Sequence, residues 1–138
     1  SARGRFPDRH RQRRARYCTV HSMSDRTQWL RGLTDVLVLR TLEDGRSYGY
    51  ELVEHFVAAG LDDLNEATVY GALRRLEAAG LLRSSLERST SGPARKYYEL
   101  TATGRRVAAQ RLAEWTTFRQ AVDALLAPQR QTKRSTAS

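Results

Sequence analysis

Apolar residues recur at three- and four-residue steps from Trp29 onward, through Leu30, Leu33, Val36, Leu37 and Leu42. That spacing gathers side chains on one face of a helix. Glu43-Asp44-Gly45 ends the segment with a turn signal. A second helix opens at Tyr48-Gly49-Tyr50, carries Leu52, Val53, Phe56 and Val57, and closes at Gly60. A third is predicted from Glu66 to Ala79, with Val69, Ala72, Leu73 and Leu76 as its apolar stripe. Asn65 suits its N-cap, Glu66 complements the dipole of its first turn, and Gly80 stops it.

The period then changes. Leu81–Arg88 reads as a strand, Ser89–Pro93 as a turn, and Arg95–Leu100 as a second strand with β-prone aromatics. Tyr97 and Tyr98 fall on opposite faces of it, so one belongs in the core and the other is partly exposed. A last long helix starts at Thr103-Gly104 and ends at Pro128. Val107, Ala108, Leu112, Trp115, Phe118, Val122, Leu125 and Leu126 lie along one side of it. The order is three helices, a hairpin and a long helix. The expected fold is mainly α with a small β-hairpin: a winged helix-turn-helix over residues 27–101 and a dimerisation helix over 102–127. Residues 1–26 and 128–138 show no hydrophobic period and read as disordered basic tails.

The chain has 138 residues, room for one domain, and a formal charge of +9. The charge sits in the tails. Residues 1–22 sum to +6 (seven Arg against Asp8), and residues 128–138 to +3, from Arg130, Lys133 and Arg134. The remainder sums to zero, so the total says little about what the folded part binds. That neutral middle is polarised. Acids dominate from Glu43 to Asp63, where Arg46 is the one Arg. From Asn65 to Tyr98, Arg74, Arg75, Arg83, Arg88, Arg95 and Lys96 outnumber Glu66, Glu77 and Glu87. A local basic face is better evidence for nucleic acid than total charge. Met23 is the one methionine and directly precedes the first periodic segment. Residues 1–22 are therefore either upstream-derived or a basic arm that adds salt-dependent, sequence-independent DNA affinity.

Candidate chemistry follows from the third helix and the hairpin. On a helical wheel Ala67, Gly71, Arg74 and Ala78 point away from the apolar stripe, flanked by Thr68, Tyr70 and Arg75. Small residues let the helix backbone approach a groove floor, Arg74 reaches a base edge or phosphate, and Tyr70 donates to a phosphate. An ordinary amphipathic helix with a solvated basic side fits the same pattern. Arg95 and Lys96 are expected at the wing tip, where cations favour the minor groove. In the last helix, Trp115, Phe118, Val122 and Leu125 have the spacing of a helix-pairing seam, which implies a homodimer. Packing back on the first helix of the same chain is the alternative.

Cys18 is the one cysteine, so no disulfide within the chain and no multi-Cys metal site forms, and a reducing cytoplasm fits. No apolar run reaches the roughly 18 residues of a membrane span, and no membrane partner is expected. His10, His21 and His55 lack partners at metal-ligand spacing, and no catalytic constellation or cofactor site stands out.

Three stretches together resemble the PadR family of transcriptional regulators, across roughly residues 28–127. Tyr48-Gly49-Tyr50-Glu51-Leu52 resembles the start of its second helix. The run from Ala67 to Leu81 resembles its recognition helix and entry to the wing, and the run from Gly92 to Gly104 its second wing strand and helix start. Ala67 and Gly71 depart from the pattern, which often has Gly before the Thr and Pro after the Tyr. The single C-terminal helix is similar to the short subfamily. The resemblance implies a homodimeric repressor on a pseudo-palindromic double-stranded operator. With the helical wheel and the hairpin, Tyr50, Ala67, Thr68, Tyr70, Gly71, Arg74, Arg75, Arg95 and Lys96 are the expected DNA contacts, and the resemblance implies release by a flat aromatic or cationic effector stacked on Trp115 beside Phe118. Trp115 as plain seam core is the alternative. A winged-helix protein-interaction module without DNA binding is the competing reading, and an enzyme a distant third.

Overall fold

The computed structural model describes residues 25–128; the basic segments around Cys18 and Lys133 lie outside the described residues. The element order is α1 (Asp25–Leu30), α2 (Thr34–Glu43), β1 (Ser47–Tyr48), α3 (Gly49–Ala58), α4 (Glu66–Ala78), β2 (Leu82–Ser89), β3 (Gly92–Leu100) and α5 (Ala102–Leu126). The protein is mainly helical, with one small antiparallel sheet in the order β1-β3-β2.

The periodic segment that begins at Trp29 is two helices. Gly32 interrupts it with φ of +86°, a conformation open to glycine at little steric cost. The break turns Trp29 outward, leaving it 72% exposed, while α2 contributes Val38, Leu39 and Leu42 to the core. Helix α1 also reaches two residues into what reads as tail. Its Arg26 donates from Nη2 to the Gly60 carbonyl at 2.6 Å and pairs through Nε with Asp63 at 3.2 Å.

Helices α3 and α4 form the helix-turn-helix, burying Leu52 and Phe56 against Val69, Leu73 and Leu76. Asn65 caps α4 as expected, its Oδ1 accepting from the Thr68 backbone N–H at 2.9 Å. Gly80, with φ of +77°, closes α4: its N–H donates to Glu77 and the Leu81 N–H to Leu76, both at 2.9 Å. The chain is thereby aimed straight into the hairpin.

The hairpin turn is tighter than Ser89–Pro93, since only Thr90 and Ser91 separate the strands. Leu82 pairs with Leu100 and Ser84 with Tyr98, and an irregularity falls between Glu87 and Ser89. Strand β1 is a third member that periodicity does not reveal, because two residues carry no period. It sets Ser47 opposite Tyr98 and Tyr48 opposite Tyr97. Tyr98 is core, 3% exposed, and Tyr97 is half-buried on the outer face.

Helix α5 docks by its first turns. Thr101 Oγ1 accepts from the Gly104 N–H at 3.0 Å and donates to the Gly80 carbonyl at 2.8 Å. The Thr101 N–H donates to the Leu81 carbonyl at 3.0 Å. Gly104 fits directly beneath that carbonyl. Ala108 is buried, Val107 packs on the core, and the helix lies against α2 of the same chain. Its far half has no such cover: Phe118, Leu125 and Leu126 are 60%, 79% and 77% exposed.

Candidate nucleic-acid interface

The outward ridge of α4 is Ala67, Gly71, Arg74 and Ala78, all exposed except the half-buried Gly71. The capping and packing that fix α4 at both ends hold this ridge as a rigid, nearly side-chain-free surface with one long cation on it. Arg74 makes no ion pair or hydrogen bond with any described residue.

The two flanks of the ridge are already engaged. On the α2 side, Arg75 Nη2 donates to Asp35 Oδ1 at 2.9 Å, tying α4 to the start of α2. Thr68 Oγ1 donates to Asn65 Oδ1 at 3.0 Å, so its hydroxyl is left as an acceptor only. On the wing side, Tyr70 lies over Gly49. A Cβ at Gly49 would come within 2.5 Å of Tyr70 Cζ, so only glycine seats the ring there. Tyr50 and Glu54 stand one helical turn apart on α3, and the Glu54 charge foremost, with side-chain hydrogen bonding second, raises the Tyr50 pKa above its ordinary value.

Arg95 and Lys96 are not at the wing tip. The tight turn puts them inside β3, with Thr90 and Ser91 at the tip. Lys96 sits 3.5 Å from Glu77 and 5.3 Å from the Tyr98 ring centroid, and both raise its pKa, Tyr98 foremost. Arg95 lies 4.7 Å over the Tyr48 ring, with no carboxylate partner among the described residues. The outer sheet face continues through the edge-on Tyr48–Tyr97 pair, 5.4 Å apart, to Arg46, which stacks on Tyr97 and grips Glu87 with both terminal guanidinium nitrogens. That ladder braces the hairpin against β1 and so fixes the wing's angle to α4. Arg83 is neutralised by Glu99 at 2.6 Å. Arg88 is exposed beside the turn and carries no ion pair or hydrogen bond to a described residue. It is a wing cation that the charge count includes but strand position alone does not single out.

Between α3, α4 and β3 lies a cleft of about 460 Å³, lined by Tyr48, Tyr50, Glu54, Tyr70, Arg95 and Lys96. A second, shallower cleft of about 330 Å³ lies between the Gly32 turn and α5, with Val36, Arg111, Glu114, Trp115 and Phe118 around it. The Trp115 and Phe118 ring centroids are 5.7 Å apart there. The described residues hold no cluster of metal-ligating side chains and no helix long and apolar enough to cross a membrane.

Residues 38–110 match the model of the transcriptional regulator PadR-like family. The chain belongs to the PadR-like family of transcriptional regulators. A PadR family transcriptional regulator from Eggerthella lenta is 34% identical, with 83% of this chain and 98% of that one aligned at a TM-score of 0.67. A PadR-like transcriptional regulator from Bacillus cereus is 29% identical over 72% of this chain and 97% of its own, at a TM-score of 0.66. An uncharacterised protein from Lysinibacillus sphaericus is 27% identical over 71% of this chain and 92% of its own. The matched region runs from α2 through the wing to the first turns of α5, and the family makes this PadR-like protein a DNA-binding transcriptional regulator. Trp115, Phe118, Val122 and Leu125 lie beyond the family-model match.

Proposed function

We propose that this PadR-like regulator is a homodimeric repressor that seats α4 of each subunit in successive major grooves of a pseudo-palindromic operator. The observation that carries the reading is the α4 ridge. Ala67 and Gly71 leave the backbone bare where it would meet the groove floor, and the unpaired Arg74 stands one turn on, within reach of a guanine edge. Arg88 and Arg95 extend the same basic surface along the wing, while Tyr70 offers a hydroxyl to a phosphate. Arg75 then serves chiefly as a brace to Asp35, and Tyr50 and Lys96 contribute from within their contacts to Glu54 and Glu77.

The second subunit is called for by the far half of α5. Phe118, Leu125 and Leu126 are exposed there and Val122 is half-buried, an apolar strip that a second copy of the helix would cover. Paired subunits fix the half-site spacing at about one helical turn. Purified protein offered a pool of random duplexes should enrich one inverted repeat with that spacing. No enriched sequence would leave the fold as a protein-interaction module instead.

Release by a planar aromatic or cationic effector is the regulatory part of the proposal. Trp115 and Phe118 supply stacking faces, and Glu114 supplies a carboxylate at the same cleft, beside Arg111. Such a ligand relieves repression only by binding better to a dimer whose recognition helices are wrongly spaced for DNA. Trp29 is exposed, so Trp29→Phe leaves the fold intact and Trp115 as the sole indole reporter. Planar cations or phenols are expected to quench it over the concentration range in which operator DNA is released. Quenching without release would make Trp115 a seam residue only.

A further inference from the structure

The cleft between α4 and the wing has a place in any complex that uses both. The major and minor grooves of a duplex are separated by a sugar-phosphate strand. With α4 in the major groove and the wing over the minor groove, that strand has to cross the space between them, and that space is the 460 Å³ cleft. Most of its lining suits a phosphate: Arg95, stacked on Tyr48, together with Lys96 and Tyr70. Glu54 does not suit it. It is exposed on α3, lines the cleft, and is neutralised by none of the ion pairs formed by described residues.

We infer that Glu54 holds down the backbone affinity of the interface, by placing an uncompensated carboxylate against the phosphate strand. The inference rests on the DNA-binding reading and adds a sign to it. Phosphate contacts carry no sequence information, so weakening them lowers binding to random and operator DNA alike. The contacts of the α4 ridge alone then set the ratio of operator to random binding, and Glu54 lowers how tightly the dimer is held on either.

Glu54→Gln removes the charge at an exposed position and keeps the shape, so the fold is unaffected. The control is Glu51→Gln, which removes the same charge one turn away, on a part of α3 that faces Asp44 and His55 instead of the cleft. Both variants and the wild type are titrated against one operator duplex and one random duplex at low and high salt. Glu54→Gln is expected to bind both duplexes on the order of tenfold more tightly at low salt, the Coulomb repulsion of one nearby charge pair per subunit, with the gain shrinking as salt rises. Glu51→Gln is expected to move by less than a third of that. Unchanged or weaker binding by Glu54→Gln would overturn the inference, and so would an equal gain from Glu51→Gln, which would reduce the effect to net charge. Wild-type protein that binds neither duplex would instead overturn the DNA-binding reading itself.

Discussion

Gly104→Ala is expected to destabilise the protein by about 3 kcal/mol, at the upper end for forced overpacking. A Cβ at Gly104 would overlap the Leu81 carbonyl oxygen and lie 2.9 Å from its carbon. Neither partner can yield cheaply. The Leu81 carbonyl already accepts from the Thr101 N–H, and the Leu81 N–H closes α4 through Leu76. The helix must lift from the turn, and the seat of the wing goes with it. Alanine is intrinsically the better helix former by about 1 kcal/mol, so the clash alone sets the sign. Gly71→Ala provides the contrast within the same molecule. There the new Cβ meets nothing closer than Arg75 Nη1 at 3.5 Å. It should stabilise by about 0.5–1 kcal/mol. Thermal melts of the two variants without DNA should move in opposite directions, Gly104→Ala falling by roughly 15 °C. A Gly104→Ala protein that melts with the wild type would show that α5 does not dock on the α4–β2 turn as described.

Val122→Asp is expected to give the largest loss of function. It places a carboxylate in the middle of the strip formed by Phe118, Leu125 and Leu126 and offers it no cation in the seam. Sedimentation should report a folded monomer where the wild type is a dimer. A monomer binds one half-site and forfeits the effective concentration of the second, so operator affinity should drop by about 10²- to 10⁴-fold. The near end of α5, held by Thr101, Gly104 and Ala108, is remote from the change, so helical content and melting should survive. A wild type that sediments as a monomer at micromolar concentration would contradict the paired reading, as would a dimeric Val122→Asp.

Elements long enough to repeat a period were legible in the chain: α3, α4 with its Asn65 cap, the two wing strands and α5. What was not legible is what depends on distant partners. Strand β1 exists because Ser47 and Tyr48 meet Tyr98 and Tyr97 some fifty residues later, and two residues have no period. A helical wheel gives direction but not occupancy. It set Arg74 and Arg75 side by side on the basic face, whereas Asp35, forty residues upstream, takes one and leaves the other bare. The same holds for Lys96 with Glu77 and Arg83 with Glu99. Gly32 was hidden inside a pattern that stayed apolar on both sides of it, so two helices read as one. Gly49 and Gly104 read as helix openers, yet their role is room for Tyr70 and for the Leu81 carbonyl, which composition cannot convey. Turn length moved Arg95 and Lys96 from the tip into the strand and left Arg88 beside it.

The most direct test of the central claim compares Arg74→Ala with wild type on the selected operator and on a random duplex, by titration at fixed salt. Arg74 is the one unpaired cation on the α4 ridge, exposed and remote from the core, so its removal leaves the fold alone. A base-reading Arg74 predicts a loss of about 1–3 kcal/mol on the operator and a smaller one on random DNA. An Arg75→Ala control, removing the cation that Asp35 already holds, should cost the operator less. Operator affinity unchanged in Arg74→Ala, and unchanged again in an Arg95→Ala/Lys96→Ala double variant, would contradict the recognition surface assigned to α4 and the wing.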